Sequence, residues 1–182
     1  QELNELAGSS NQAFFANSDL IQLLPIGTKT YSDFITNQFK KHRRNISEDA
    51  VEFILAWTFT HTYFTQVLCK RIFASGIEDI DVEEVLEICS EIFTEFETDF
   101  FLFRNLLSPV QWILLKAIAK EEQVYHPTAK KFLLKHQVGT PANVQRALDA
   151  LLKKELILSS RDENGRYFRV YDSFLSRWLE DL

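Results

Sequence analysis

The sequence predicts a mainly α-helical fold, a helical bundle followed by a winged-helix domain with a small β-hairpin, and three observations carry that prediction. Apolar residues recur at helical spacing through most of the chain, capping signatures punctuate them, and two β-prone runs near the C-terminus flank a turn. The 182 residues suffice for one mid-sized domain or two small ones, and an apolar content of 46% suits a buried core. Sixteen Phe against no Met point to a core of rigid aromatic side chains, while five Gly and four Pro leave little material for flexible linkers.

The first apolar run, Leu20-Ile21-Gln22-Leu23-Leu24-Pro25-Ile26, is closed by Pro and Gly and reads as a single buried strand. Tyr31, Phe34, Ile35 and Phe39 then mark the inner face of a helix that ends at Lys40-Lys41-His42-Arg43-Arg44. That basic cluster reads either as a solvated cap, because cations favour the C-terminal end of the helix dipole, or as a binding patch. Ser47, with Glu48 and Asp49 in the first turn, opens a second helix whose inner residues are Val51, Ile54, Leu55 and Thr58. Thr60 to Leu68 begins a third helix that ends near Gly76. Asp81 and Glu84 form a D-x-x-E capping pattern for a long fourth helix through Val85, Ile88, Ile92, Phe96, Phe100 and Phe103. Its acidic stretch, Glu78 to Asp99, reads as a solvated face, since the carboxylates are spread along it and no His joins them.

The C-terminal part is punctuated more sharply. In Ser108-Pro109-Val110-Gln111 the Ser caps, the Pro fits the first helical position and the Gln completes a capping box. Trp112, Leu115, Ile118 and Ala119 form the buried stripe of that helix. After Tyr125-His126-Pro127 a short helix carries Phe132 and Leu133 up to Val138-Gly139, and Thr140-Pro141 opens the next. Val144, Ala147, Leu148 and Leu151 recur at i, i+3, i+4 and i+7, which turns Asn143, Arg146, Asp149 and Lys153 outward. The runs Leu156–Ser160 and Arg166–Tyr171 flank Asp162-Glu163-Asn164-Gly165, a hairpin-turn composition, and a last helix holds Phe174, Leu175, Trp178 and Leu179. Three helices of which the third leads into a hairpin is the winged-helix order, and independent local signals agree on it.

Charge divides the chain at the same place. Up to Ser108 there are 17 acidic and 8 basic residues, and after it 9 acidic and 12 basic. Cys69 and Cys89 lie inside helical patterns without C-x-x-C spacing, so they read as small buried residues of a protein in a reducing, cytoplasmic compartment. No apolar run reaches the roughly 18 residues of a membrane span, and the N-terminus lacks the order of a signal peptide. The four His are scattered and no clustered ligands accompany them, which argues against zinc. No nucleophile elbow or acid–base pair is identifiable, so no independent catalytic activity is expected.

Three segments together resemble a known family. They are Gln111-x-x-Leu114-Leu115-Lys116-Ala117-Ile118-Ala119-Lys120, then Val138-Gly139-Thr140-Pro141-Ala142-Asn143-Val144-Gln145-Arg146-Ala147-Leu148, then Val170-Tyr171-Asp172-x-Phe174-Leu175-x-x-Trp178-Leu179. Their order is similar to the C-terminal part of the archaeal-type ATPases of the STAND branch of AAA+ proteins, a family also common in gut Bacteroidetes. Upstream, Leu20 to Phe39 resembles the family's last core strand and first lid helix, and Thr60-His61-Thr62-Tyr63-Phe64-x-Gln66 resembles its G-H-P-Y-Y-x-Q lid signature. The resemblance implies three parts: a remnant of the nucleotide-binding core at 1–27, a lid-like helical bundle at 28–107 and a winged helix at 108–182. It also implies that ATP or ADP and Mg belong to a longer protein, whose core lies upstream and is the winged helix's first partner. His61 and Tyr63 are the candidate nucleotide-facing lid residues, His61 reading otherwise as a histidine packed against Tyr63 and Phe64 at a helix start. Two departures matter. The sequence contains no G-x-x-x-x-G-K-S/T loop and no acidic strand end for magnesium, so this chain by itself is not expected to hydrolyse ATP. Thr62 stands where the lid signature has Pro, which loses a fixed backbone at that helix start.

Two readings of the winged helix remain. In one it couples nucleotide state to the ATPase core or to a protein partner. In the other it binds DNA. Candidate contacts in either case are Thr140, Asn143, Gln145, Arg146 and Lys153 on the third helix, with Arg161, Arg166 and Arg169 on the wing. Against DNA stand Asp149, read as an ion-pair partner for Arg146 and Lys153, Glu163 at the wing tip, and a domain charge of only about +3, where phosphate binding relies on several converging cations. The apolar segment 20–26, separated from its sheet, is expected to pair with a second copy in a homodimer or to pack back on the bundle.

Overall fold

The structure, a computed structural model, describes residues 26–182. Of the expected core remnant at 1–27 and its strand at Leu20–Ile26, all but Ile26 and Gly27 lie outside the described residues.

Helix α1 (Thr28–Lys41) buries Tyr31, Ile35 and Phe39 on one face and carries Lys40 and Lys41 in its last turn. Ser47 caps α2 (Glu48–Trp57) by accepting the Ala50 amide, and Asp81 and Glu84 form the reciprocal capping box of α4 (Val82–Leu106). Between them lies α3 (Thr62–Ala74), with His61 at its N-cap position and Gly76 taking up a left-handed φ of 85° just beyond its end. Two short segments, β1 (Asn45–Ile46) and β2 (Asp79–Ile80), pair in parallel and pin the loops that enter α2 and α4 to each other. The sequence offers no sign of this pairing, because two residues are too few to show a period of two. Arg44 joins the two loops as well. Its Nη1 donates to Ile77 O at 3.0 Å and its guanidinium lies 4.3 Å from the centre of the Phe73 ring, so one member of the basic cluster serves packing within the bundle.

The winged helix follows the predicted order. Ser108 and Gln111 cap α5 (Pro109–Glu121) reciprocally, α6 (Lys130–His136) is short, and Thr140 caps α7 (Pro141–Lys153) by accepting the Asn143 amide. The hairpin of β3 (Ile157–Asp162) and β4 (Gly165–Val170) pairs in register from Ile157 with Val170 to Asp162 with Gly165. Gly165 carries a φ of 121°, the conformation that a side chain would oppose, while Asp162 Oδ1 accepts the Asn164 amide across the turn. Val124 adds an isolated antiparallel bridge to Phe168, so the loop after α5 lies along the hairpin's free edge. The chain closes with α8 (Ser173–Glu180), capped by Asp172.

Helix α8 joins the two halves. Phe174 meets Trp57 and Phe64 of the bundle at ring separations of 5.3 and 5.6 Å, and Trp178 meets Phe100 of α4 at 5.4 Å and Trp112 of α5 at 6.4 Å. The buried residues of bundle and winged helix consequently form one continuous core. A change of helix occurs at Leu107–Ser108, but the core does not divide there. Among the described residues no helix is long and apolar enough to cross a membrane.

Candidate functional site

The last carbonyls of a helix lack intrahelical partners and must find donors elsewhere. At the end of α2 backbone amides of the following turn return to Ala56 O and Thr58 O, from Phe59 N at 3.1 Å and His61 N at 3.0 Å, and side chains of the winged helix add further donors. Four successive carbonyls are met in turn. Arg177 donates through Nη2 to Ala56 O at 3.1 Å and through Nε to Trp57 O at 3.2 Å, Ser173 Oγ donates to Thr58 O at 3.1 Å, and Arg169 Nη2 reaches Phe59 O at 3.4 Å. The two cations also complement the negative end of the helix dipole. Phe59 is held between them, with each guanidinium 4.5 Å from the centre of its ring. Arg177 is itself fixed by Glu122 at 2.7 Å and Glu180 at 2.9 Å.

The clasped turn has an uncommon backbone. Phe59 and Thr60 both adopt left-handed φ values, 53° and 55°, and a β-branched residue pays a steric penalty there. Local bonds from Thr60 N to Leu55 O at 2.7 Å and from Phe59 N to Ala56 O at 3.1 Å hold the turn from inside. Below it the buried Thr58 hydroxyl donates to Ile54 O and shares a 2.7 Å hydrogen bond with Thr65 of α3. This turn leads directly into His61.

His61 packs between Phe64 at 4.8 Å and Tyr171 at 5.6 Å, with its Nδ1 buried and lacking a hydrogen-bond partner among the described residues. Burial, and then the nearby Arg169 guanidinium, lower its pKa. Arg169 is lowered by burial too, and burial raises Asp172, whose carboxylate accepts the amides of Phe174 and Leu175. Tyr63 lies on the exposed side of α3, 64% accessible and edge-on to Phe64. The two lid candidates therefore do not converge on one site. His61 faces the chain's own winged helix, and Tyr63 faces away from it on the exposed side of α3.

On the outer surface of α7 every candidate except Lys153 has a local engagement. Thr140 caps the helix, Asn143 Oδ1 accepts from Arg146 Nη2 at 2.6 Å, and Arg146 Nε donates to Ala142 O. Asp149 accepts from Gln145 at 2.9 Å and does not pair with Arg146 or Lys153 as the charge pattern suggested. Gln145 lies one turn before Asp149, and Arg146 is occupied one turn earlier still. Lys153 and Arg161 are exposed and make no ion pair among the described residues. Arg166 donates to Ser159 Oγ at 2.6 Å and lies over the Phe168 ring at 4.9 Å, still exposed. Arg169 departs from the expected surface. Strand alternation places it opposite the buried Phe168 and Val170, but the 58–61 turn covers that side of the wing.

Arg177, Ser173 and Phe59 carry the junction and were not singled out in the sequence. A signal for Arg177 does exist. Six of the eight residues of α8 are buried, and a cation on a helix enclosed almost all round must find acceptors. Cys89 is buried and Cys69 partly so, and burial pushes both thiols up to about 12. Among the described residues no group of His, Cys, Asp and Glu is arranged to hold a metal.

With this geometry in place, residues 98–181 match the family model described as a probable winged helix domain. The match begins inside α4, ahead of the Ser108 boundary, in the part of that helix that packs on α8. Among solved structures the chain is similar to the DNA clamp loader delta protein of Bacillus subtilis, with 17% identity over 78% of this chain and a TM-score of 0.30. This chain spans about half the length of that one, 50%. No curated protein matches it.

Proposed function

We propose that this chain is the lid-like and winged-helix part of a STAND-type, AAA+ ATP-binding protein, and that its winged helix relays the nucleotide state of an upstream core to a protein partner. The observation that supports this reading most is the clasp on residues 56–59. A winged helix that adds side-chain donors to four successive carbonyls at the end of a bundle helix, and shares one core with that bundle, moves with it as one body. ATP or ADP and Mg would be held by the core, and this chain would transmit. In the longer protein, exchanging ADP for an ATP analogue should alter amide hydrogen exchange in the 58–61 turn and in α7 together. Protection that changes in α7 while the turn and α8 stay constant would overturn the relay.

A second reading, a DNA-binding winged helix, is favoured by the exposed Lys153, Arg161 and Arg166 on the α7 and wing side. Fluorescence anisotropy of a random-sequence duplex, titrated with the chain at low salt, separates the two. Binding at tens of micromolar that weakens steeply with salt supports DNA, and its absence removes that reading.

A further inference from the structure

A groove of about 560 Å³ opens where the last turns of α4 meet α5, on a part of the winged helix that neither proposed function uses. Trp112, Lys116 and Lys120 follow one another at i, i+4 and i+8 and so form one row along α5. Arg104 of α4 faces this row with its guanidinium 5.5 Å from the centre of the Trp112 ring. Two apolar side chains that a buried core would claim are left accessible beside it, Phe101 at 47% and Ile113 at 40%.

The electrostatics are one-sided. The chain carries 26 acidic residues, yet no Asp or Glu lines this groove. Arg104, Lys116 and Lys120 make no ion pair among the described residues. Burial lowers the pKa of Lys116, and the neighbouring Lys120 and Arg104 charges lower it further, as expected of cations gathered without a counter-charge.

We infer that this groove docks an acidic, amphipathic peptide segment of a protein partner. Its carboxylates would meet Arg104, Lys116 and Lys120, and its apolar side chains would cover Phe101 and Ile113. Lys116 and Lys120 stand about 6 Å apart along the helix axis, a spacing that carboxylates on successive turns of a bound helix reproduce. Nucleic acid fits less well. Trp112 is buried beneath Arg104 and offers no open face to a base, and the accessible apolar surface adds nothing to phosphate binding. The inference stands apart from the ATPase reading and does not use the wing cations.

The test is a fluorescein-labelled synthetic peptide of about 15 residues, with Glu at i and i+4 and Leu and Phe on the adjoining face, titrated with the 182-residue chain at low salt. Saturable binding with a Kd on the order of 10 μM is expected, with at least a roughly tenfold loss when Gln replaces Glu in the peptide. The double variant Arg104→Glu, Lys120→Glu should lose binding by about tenfold or more, and Lys29→Glu, Lys70→Glu, two exposed bundle positions, should bind as the parent does. Circular dichroism shows whether the charge reversal folds, and Arg104→Ala, Lys120→Ala serves in its place if it does not. No binding at about 100 μM, or an affinity indifferent to the groove charges, overturns the inference. A single-stranded oligonucleotide that displaces the peptide and binds more tightly overturns it too, and makes the groove a nucleic-acid site.

Discussion

Arginines occupy two faces of the winged helix and have opposite fates. On the inner face Arg169 and Arg177 grip Phe59 and saturate the carbonyls at the end of α2, with Glu122 and Glu180 holding Arg177 in place. On the outer face Arg146 is engaged only along its own helix, Arg166 rests on its own hairpin, and Arg161 is free among the described residues. Residue type and local pattern are alike in the two sets. What distinguishes them is whether a second surface covers the side chain and brings carbonyl oxygens with a lone pair still to offer. A covered cation becomes part of the fold, and an uncovered one stays available to a partner.

The comparison can be broken first at its centre. Phe59→Ala removes the ring between the two guanidinium groups and should cost about 3 kcal/mol, read from the urea midpoint. A loss below about 1 kcal/mol would mean that the clasp is superficial. Arg177→Met keeps an apolar stem but strips the donors from Ala56 O and Trp57 O, for an expected loss of about 2 kcal/mol, and Arg177→Lys should recover only part of it because an ammonium cannot replace the fork.

A pH series sharpens the contrast further. The folded chain holds the His61 pKa below its usual 6.5, so the unfolded chain takes up a proton first as pH falls. The His61 contribution is therefore complete above 6.5 and is lost as pH falls towards the folded pKa. Asp172 acts with the opposite sign. Its pKa is raised above 3.8, so its contribution is full below that value and is lost as pH rises through the folded pKa. Thermal midpoints at stepped pH should fall on acidification below about 6.5, and His61→Phe should flatten that part of the curve. An unchanged slope in the variant would remove His61 as its source.

On the outer face the effects should be small. Arg161→Ala with Arg166→Ala should shift stability by less than about 0.5 kcal/mol, and Gln145→Ala, which releases Asp149, by a few tenths. Losses as large as that of Arg177→Met would erase the distinction between the faces.

Much of the architecture was legible because its signals are local. The capping boxes at Asp81–Glu84 and Ser108–Gln111, the Thr140-Pro141 start and the turn before Gly165 each act within a few residues, and each appears where the spacing placed it. The β1–β2 pairing and the Val124–Phe168 bridge were not legible, since each joins residues 34 or more positions apart through main-chain groups that every residue carries. The candidate surface was half legible. The sequence placed Arg169 on the wing with Arg161 and Arg166, but it does not reveal that the 58–61 turn covers that side of β4. The helical pattern turned Asp149 outward correctly, while its partner became Gln145 because Arg146 had nearer acceptors.

The amino-acid sequence by itself determined the elements of this protein, their order and their buried faces, because caps, turns and hydrophobic periods are satisfied by neighbours along the chain. Only the tertiary structure decided that α8 joins bundle and winged helix into one core, that Arg169 and Arg177 are spent on that junction, and that Arg104, Lys116 and Lys120 are left facing an open groove. These outcomes depend on which surface arrives from elsewhere in the chain to cover a charge, and a one-dimensional pattern does not carry that information.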